Sequence, residues 1–153
     1  MIRRVDTAED AIETYGRFRE KILRVIDIAN DGTTENEILK LLDNREAVMW
    51  VNNGSIAVVQ IVINLEDDTH WCLIRIASGD LSDILSGQSI VEDWAKTHGA
   101  IGMCLLGRKG WTRVLEPLGF SINTTKQQES RVYLLTRFFD GIIPENDHTD
   151  DPD

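Results

Sequence analysis

The residues best suited to chemistry form a short basic cluster directly after a predicted strand. Arg108 and Lys109 are adjacent, and Trp111 follows two positions later. Guanidinium and ammonium groups bind phosphates or carboxylates, and an indole packs well and donates one hydrogen bond. Two interpretations stay open. The basic pair binds an anionic ligand or the acids of a partner, or it is a solvated surface pair while Trp111 belongs to the core.

No residue stands out as a catalytic base. His70 opens a predicted central strand, and Glu46 and Glu66 lie at the ends of predicted strands. A histidine titrates near neutral pH and could therefore take a proton from an amine. The spacing favours none of these three residues, so the catalytic residues stay unassigned.

The two cysteines indicate packing rather than chemistry. Cys72 and Cys104 both fall in predicted buried strands, where a thiol behaves as a small apolar group. The three histidines are scattered along the chain and show no metal-ligand spacing. We therefore expect core thiols and no metal site.

The charge balance excludes some classes of partner. The chain carries 26 acidic and 16 basic residues, a net charge of −10. Residues 140–153 contain six of the acids and no Lys or Arg. An acidic protein repels nucleic-acid phosphates, so we expect no nucleic-acid partner. Residues 140–153 are predicted to be a disordered acidic tail, because few of them are apolar.

The chain has no apolar segment typical of membrane insertion. No apolar run approaches the ~18 residues of a membrane span. The first residues lack the apolar stretch of a secretory signal. We therefore expect neither a membrane span nor secretion.

The residues with chemical potential must be positioned by a mixture of helices and strands. Apolar residues recur every three or four positions over 7–30, and Thr34 with Glu37 has capping-box spacing before a second helix. Asn52-Asn53-Gly54 is a strong hairpin signal. The predicted strands are 2–5, 47–51, 55–65, 70–77, 101–106, 120–123 and 131–137, and the predicted helices are 7–30, 34–44, 81–98 and 111–115.

The order of these elements predicts an α/β fold of the α+β kind. A helix that joins two strands in one sheet normally makes them parallel, so strands 70–77 and 101–106 should be a parallel pair within a mostly antiparallel sheet. No repeat or low-complexity linker interrupts the chain. We therefore predict one domain over 1–139, followed by the tail.

The stretch 94–120, WAKTHGAIGMCLLGRKGWTRVLEPLGF, carries a resemblance to a known family. Its helix end, glycine turn, buried strand and short helix ending in Leu-Gly-Phe resemble the C-terminal half of the GNAT N-acetyltransferase superfamily. The version with Gly-Arg-Lys-Gly-Trp at 107–111 is similar to the GNAT-like proteins that tailed bacteriophages encode. The resemblance covers about residues 1–137 and implies a mixed, mostly antiparallel sheet with a splayed parallel strand pair and flanking helices.

The resemblance also implies a place for acetyl-CoA or another acyl-CoA. In the family, backbone N–H groups at a strand-to-helix turn bind the pyrophosphate, which suits a helix N-terminus. Family spacing places that turn at 79–84, and a less favoured alignment places it at 86–89. The implied cofactor-binding residues are Ala77, Gly79, Leu81, Ser82, Arg108 and Trp111.

The loop departs from the family pattern, which keeps two functions open. Ser82 and Ile84 replace the two glycines, and Asp80 and Asp83 add negative charge where a pyrophosphate would lie. We therefore expect weak acyl-CoA binding. The first hypothesis is an acyl-CoA-dependent N-acyltransferase. The second is a non-catalytic virion or morphogenesis component, or a host-protein modulator, that binds a protein partner. The expected location is the host cytoplasm or the virion.

Overall fold

A computed structural model describes residues 2–29, 32–108, 119–123 and 132–139. In chain order the elements are β1 (Arg3–Arg4), α1 (Ala8–Ala29), α2 (Glu35–Asp43), β2 (Val48–Asn52), β3 (Ser55–Asn64), β4 (Thr69–Ser78), α3 (Leu81–Thr97), β5 (Ala100–Arg108), β6 (Ser121–Asn123) and β7 (Val132–Phe138). The predicted helix at 111–115 and the acidic tail lie outside the described residues.

The described strands form one sheet in the order β1-β2-β3-β4-β5-β7-β6. The β4–β5 pair is parallel, and every other neighbouring pair is antiparallel. Helix α3 joins the two parallel strands. The predicted α/β architecture, with its parallel pair in a mostly antiparallel sheet, is therefore confirmed.

Each face of the sheet has its own apolar core. On one face α3 packs through Val91 and Ala95 against a cluster that includes Trp50 and Phe139. On the other face α1 packs through Phe18 and Ile22, and α2 packs through Ile38. These α1 and α2 residues follow the helical spacing seen in the sequence, so burial of their apolar stripes fixes both helices on the sheet.

Polar contacts fix α2 against α1. Thr34 caps α2 by accepting a hydrogen bond from the backbone N–H of Glu37 at 3.2 Å, as the capping-box spacing predicts. Arg19 donates two hydrogen bonds to Glu35, at 2.8 and 3.0 Å, and the Tyr15 hydroxyl donates a third at 2.8 Å. These bonds, first that of Arg19 and then that of Tyr15, lower the pKa of Glu35.

An ion pair between buried Glu92 and half-buried Arg137 joins α3 to β7. Glu92 accepts hydrogen bonds from Arg137 and from Gln88, and the Glu92 and Arg137 side chains are only 11% and 17% exposed. The backbone of Gly119 allows the Arg137 side chain to pass, since a Cβ there would lie 3.1 Å from Nε. This pair therefore sets the position of the last strands against α3.

The two thiols lie in the core, as predicted. Cys72 and Met103 belong to the cluster that packs against α3. Cys104 is the next residue after Met103 in β5, so its side chain points to the opposite face of the sheet. Burial raises the pKa of each thiol to about 12, and for Cys72 the neighbouring Cys104 and Glu92 add to the effect.

We expect neither thiol of the native protein to react with a thiol reagent at pH 8, because the reactive thiolate is almost absent. In denaturant both thiols should react. Because the thiol pKa is near 9 when exposed and about 12 in the fold, stability should fall as pH rises from 9 to 12. Rapid labelling of one thiol in the native protein would contradict the burial of that residue.

Candidate functional site: the gap between the parallel strands

The two parallel strands separate near their C-terminal ends. The β4–β5 register runs from His70–Ala100 to Ile74–Leu105 and stops there. Beyond this point β4 continues to pair with β3, and β5 continues to pair with β7. A gap therefore opens within the sheet where two parallel strands lose their contact, which is the predicted splay.

A β-bulge lies where the gap begins. Val58 pairs with Ile76 and Val59 pairs with Ile74, so Arg75 is an extra residue in β4. A bulge bends its strand and increases the local twist, which turns the end of β4 away from β5. It also reverses the side-chain alternation, so that Ala77 faces α3 with its partner Ala57, whereas Arg75 faces α2. Uninterrupted alternation would place Ala77 and Arg75 on one face, and the bulge places them on opposite faces.

The N-terminus of α3 lies at the mouth of this gap. Gly79 makes the turn from β4 into α3 with φ +135°, a conformation that side chains rarely adopt. A Cβ on Gly79 would lie 2.5 Å from the Cα of Ser55. The backbone N–H of the next residue, Asp80, donates to Ser55 Oγ at 2.9 Å. Glycine is therefore required here for close packing against β3.

The first turn of α3 is bonded to the β2–β3 hairpin. Asn52 Nδ2 donates to the carbonyl oxygen of Asp83 at 2.8 Å and to Ser86 Oγ at 3.0 Å. The Asp83 carboxylate accepts hydrogen bonds from Asn53 at 3.0 Å and from Ser55 Oγ at 3.2 Å. These contacts hold the Asp83 carboxylate on the β3 side of β4, whereas the gap is on the β5 side.

The hairpin is also bonded from the opposite face of the sheet. Lys21 of α1 donates from Nζ to the carbonyl oxygen of Gly54 at 2.8 Å. Asn53, beside it in the turn, has the left-handed φ of +56° that the Asn-Gly signal predicts. The two-residue turn thus connects the middle of α1 to the start of α3.

The residues that the resemblance implied for a cofactor fall into two groups. Ala77, Gly79, Leu81 and Ser82 follow one another through the end of β4 and the first turn of α3. Arg108 is the last residue of β5, at the same edge of the sheet, because the two strands are parallel. Trp111 lies outside the described residues. The alternative turn at 86–89 lies inside α3, so it is not a helix N-terminus.

The three candidate bases lie away from the gap. His70 is near the start of β4, Glu66 is in the β3–β4 turn, and Glu46 precedes β2. All three are exposed; His70 and Glu66 stand at the end of the sheet opposite the N-terminus of α3, and Glu46 is separated from the gap by β3 and β4. None of them can therefore act on a group bound in the gap.

The structure instead brings together polar residues that the sequence did not single out as a site. Arg75 at the bulge donates to Gln60 Oε1 at 3.0 Å and to Glu37 Oε2 at 3.5 Å. Glu37, predicted only as a capping-box residue, thus turns its carboxylate toward β4 where the strands separate. This orientation depends on the contact between Glu37 and Arg75, which are 38 residues apart in the chain, so no local sequence pattern reveals it.

The described residues show neither a metal cluster nor a membrane helix. In the described ranges, no group of three or more His, Cys, Asp or Glu side chains is placed to hold a metal ion. None of the helices in this part of the chain combines the length and the apolar character needed to cross a membrane.

Solved structures share this arrangement of strands and helices. A GNAT-family acetyltransferase from Listeria monocytogenes aligns with a TM-score of 0.56 at 11% identity, over 91% of this chain and 94% of its own. NAA60 from Arabidopsis thaliana, in complex with a bisubstrate analogue, aligns with a TM-score of 0.55 at 13% identity, over 93% and 100%. This chain has the GNAT acetyltransferase fold.

Ard1 from Thermoplasma volcanium also aligns, with a TM-score of 0.51 at 16% identity, over 90% of this chain and 96% of its own. A scan against protein-family models finds no match, and no curated protein matches the sequence. At these identities the likeness establishes the GNAT fold, and the activity has to be argued from the site.

Proposed function

We propose that the protein is an acyl-CoA-dependent N-acyltransferase that binds its acyl donor in the gap between β4 and β5. The observation that supports this function is the end of the β4–β5 pairing at Ile74 and Leu105, with the N-terminus of α3 at the mouth of the gap. The gap exposes the edges of β4 and β5 to an extended ligand such as an acyl-CoA, and the N-terminus of α3 favours an anion. The GNAT fold of the chain agrees with this use.

The backbone of the α3 first turn is the part of the chain that would bind the pyrophosphate. An α-helix leaves its first N–H groups without an intrahelical acceptor, and in α3 those of Leu81 and Ser82 belong to this set. The N–H of Asp80 is bonded to Ser55, which fixes the orientation of the turn. The donors are thus held in place by the fold. At the other side of the gap, β5 ends at Arg108, a residue that the resemblance implied for the cofactor.

The chemistry of this proposal is the transfer of an acyl group from sulfur to nitrogen. The amine nitrogen of the acceptor attacks the thioester carbonyl carbon, a C–N bond forms, and the C–S bond breaks. The amine loses one proton to a base, and the leaving thiolate gains one. Glu37 is our candidate for the base, because its carboxylate lies beside Arg75 at the start of the gap.

The main electrostatic obstacle to binding is Asp80. Asp83 faces the hairpin, whereas Asp80 immediately precedes α3 at the end that would bind the pyrophosphate. We expect Asp80→Asn to strengthen acetyl-CoA binding about tenfold at low salt, because one nearby like charge is removed. Asparagine caps a helix as well as aspartate does, so the helix start should be preserved. Isothermal titration calorimetry measures the effect.

The matched control is Asp93→Asn, which removes an exposed aspartate from the same helix far from its N-terminus. This variant should bind acetyl-CoA as the wild type does. An affinity gain of similar size in both variants would show that net charge, and not the position of Asp80, limits binding. Tight wild-type binding that Asp80→Asn leaves unchanged would contradict our placement of the pyrophosphate.

The second candidate function is a non-catalytic component that binds a protein partner. The acidic start of α3 favours it, since such a turn opposes a pyrophosphate. If Asp80→Asn also binds no acyl-CoA, this candidate replaces the first. The likeness to phage proteins, and with it a virion or host-cytoplasm location, stays a prediction that rests on residues 107–111.

A further inference from the structure

The turn between β2 and β3 contains the one Asn-Gly pair in the sequence, Asn53-Gly54. Both residues are exposed, whereas Asn52 and Ser55 on either side of them are buried. Glycine has no side chain, so nothing on it shields its backbone nitrogen from the side-chain amide of the preceding asparagine. In such a pair the nitrogen can attack the amide carbon, and the asparagine is then lost by deamidation.

The conformation of the turn favours this attack. Asn53 has a positive φ, +56°, and Gly54 does not, which is the pattern of a type II′ turn. In that turn the first residue has a ψ of about −120°, the mirror image of the value in a type II turn. Rotation to this angle turns the Gly54 nitrogen to the same side as the Asn53 Cβ, as closure of a ring between them requires.

Charged groups lie beside both nitrogens that take part. Lys21 Nζ donates to the carbonyl oxygen of Gly54 at 2.8 Å, and a positive charge there helps a nearby backbone nitrogen to lose its proton. Asn53 Nδ2 donates to Asp83 Oδ1 at 3.0 Å, and a carboxylate favours the protonation of a departing nitrogen. The surroundings therefore favour each proton movement that the reaction needs.

We propose that Asn53 is a site of spontaneous deamidation, with water as the co-reactant. The Gly54 nitrogen loses its proton and attacks Asn53 Cγ, so that a C–N bond forms. The bond between Cγ and Nδ2 breaks, and ammonia leaves with a proton in place of the one lost. Water then opens the cyclic imide. Cleavage at Cγ gives aspartate, and cleavage at the main-chain carbonyl gives isoaspartate.

Either product carries a carboxylate where Asn53 had an amide. A carboxylate has no proton to donate, so the hydrogen bond to Asp83 is lost. The two negative charges also repel each other across the same contact. Deamidation therefore loosens the attachment of the α3 first turn to the hairpin as the protein ages, whether or not that turn binds acyl-CoA.

The first test follows the purified native chain during storage in warm, mildly alkaline buffer. Brief trypsin digestion gives the peptide 46–75, and mass spectrometry detects the exchange of NH₂ for OH at each of its asparagines. Asn53 should convert about tenfold faster than Asn52 or Asn64, because it alone of the three precedes glycine. The native chain should also convert Asn53 at least as fast as the isolated peptide does, since the turn is already formed. A native rate several-fold below that of the peptide would overturn the proposal.

Gly54→Ala is the control for the attacking nitrogen. The new methyl group should shield this nitrogen and nearly stop the conversion of Asn53. The described atom nearest to a Cβ on Gly54 is Lys21 Nζ, at 3.8 Å, so the variant should keep the fold, which circular dichroism checks. Conversion that continues undiminished in this variant would show that the Gly54 nitrogen does not attack.

The consequence is tested without waiting for the reaction. Asn53→Asp should lower the urea midpoint of unfolding, and adding Asp83→Asn should restore it, because donor and acceptor have then exchanged places. Asp93→Asn, at an exposed position of the same helix, is the matched control and should restore nothing. If Asn53→Asp is as stable as the wild type, or if Asp83→Asn fails to restore it, deamidation does not act through this contact.

Discussion

Glu92→Leu is expected to destabilise the protein by about 3 kcal/mol, because it leaves the half-buried Arg137 guanidinium without its carboxylate. The hydrogen bond from Gln88 is lost with it. For a domain of this size such a loss lowers the melting temperature by about 10 °C. Urea denaturation followed by circular dichroism measures the free energy of unfolding.

Two further variants test the cause. Replacing both partners, Glu92→Leu with Arg137→Leu, should recover much of the loss, since an apolar pair leaves no charge unpaired. Asp93→Leu changes the neighbouring exposed acid and should cost far less. If the double variant is as unstable as the single one, packing and not the unpaired arginine explains the effect.

Gly79→Ala is expected to cost about 3–4 kcal/mol, because it combines backbone strain with a clash. The φ of +135° disfavours any side chain, and the new Cβ would meet the backbone of Ser55. The turn can relax only by moving the first residues of α3 away from β3. We therefore expect acyl-CoA binding to weaken together with stability, which calorimetry and urea denaturation measure.

Gly99→Ala is the matched control for this change. Gly99 also has a positive φ, +86°, but a Cβ there meets no atom within 4 Å. It should therefore cost only about 1 kcal/mol, from strain alone. Equal losses at the two glycines would show that the contact with Ser55 is unimportant.

Much of the fold could be predicted from local patterns. Three patterns were sufficient to predict the elements they belong to. They are the helical stripe of α1, the Asn-Gly turn at Asn53, and the order of strand, helix and strand around α3. Burial of one apolar face then determines how each element packs. The family resemblance indicated the strand-to-helix turn at Gly79, and in the structure this residue directly follows β4.

The contents of the site could not be predicted in the same way. The extra residue at Arg75 depends on how β4 pairs with β3, and nothing in β4 itself marks a bulge. The role of Asp83 depends on Asn53 and Ser55, about 30 residues earlier, so its charge looked like an obstacle when taken alone. Burial of Glu92 is hidden because charged residues usually stay in water.

The hairpin bonds also determine when the conformational entropy of the α3 first turn is lost. In an isolated helix the first turn frays, and a ligand that binds there must order it at the expense of affinity. Here Asn52, Asn53 and Ser55 hold that turn, while Lys21 holds the hairpin itself. The ordering therefore takes place during folding. An anion that reaches the turn meets donors that are already oriented, which is how a rigid receptor offsets a weak set of contacts.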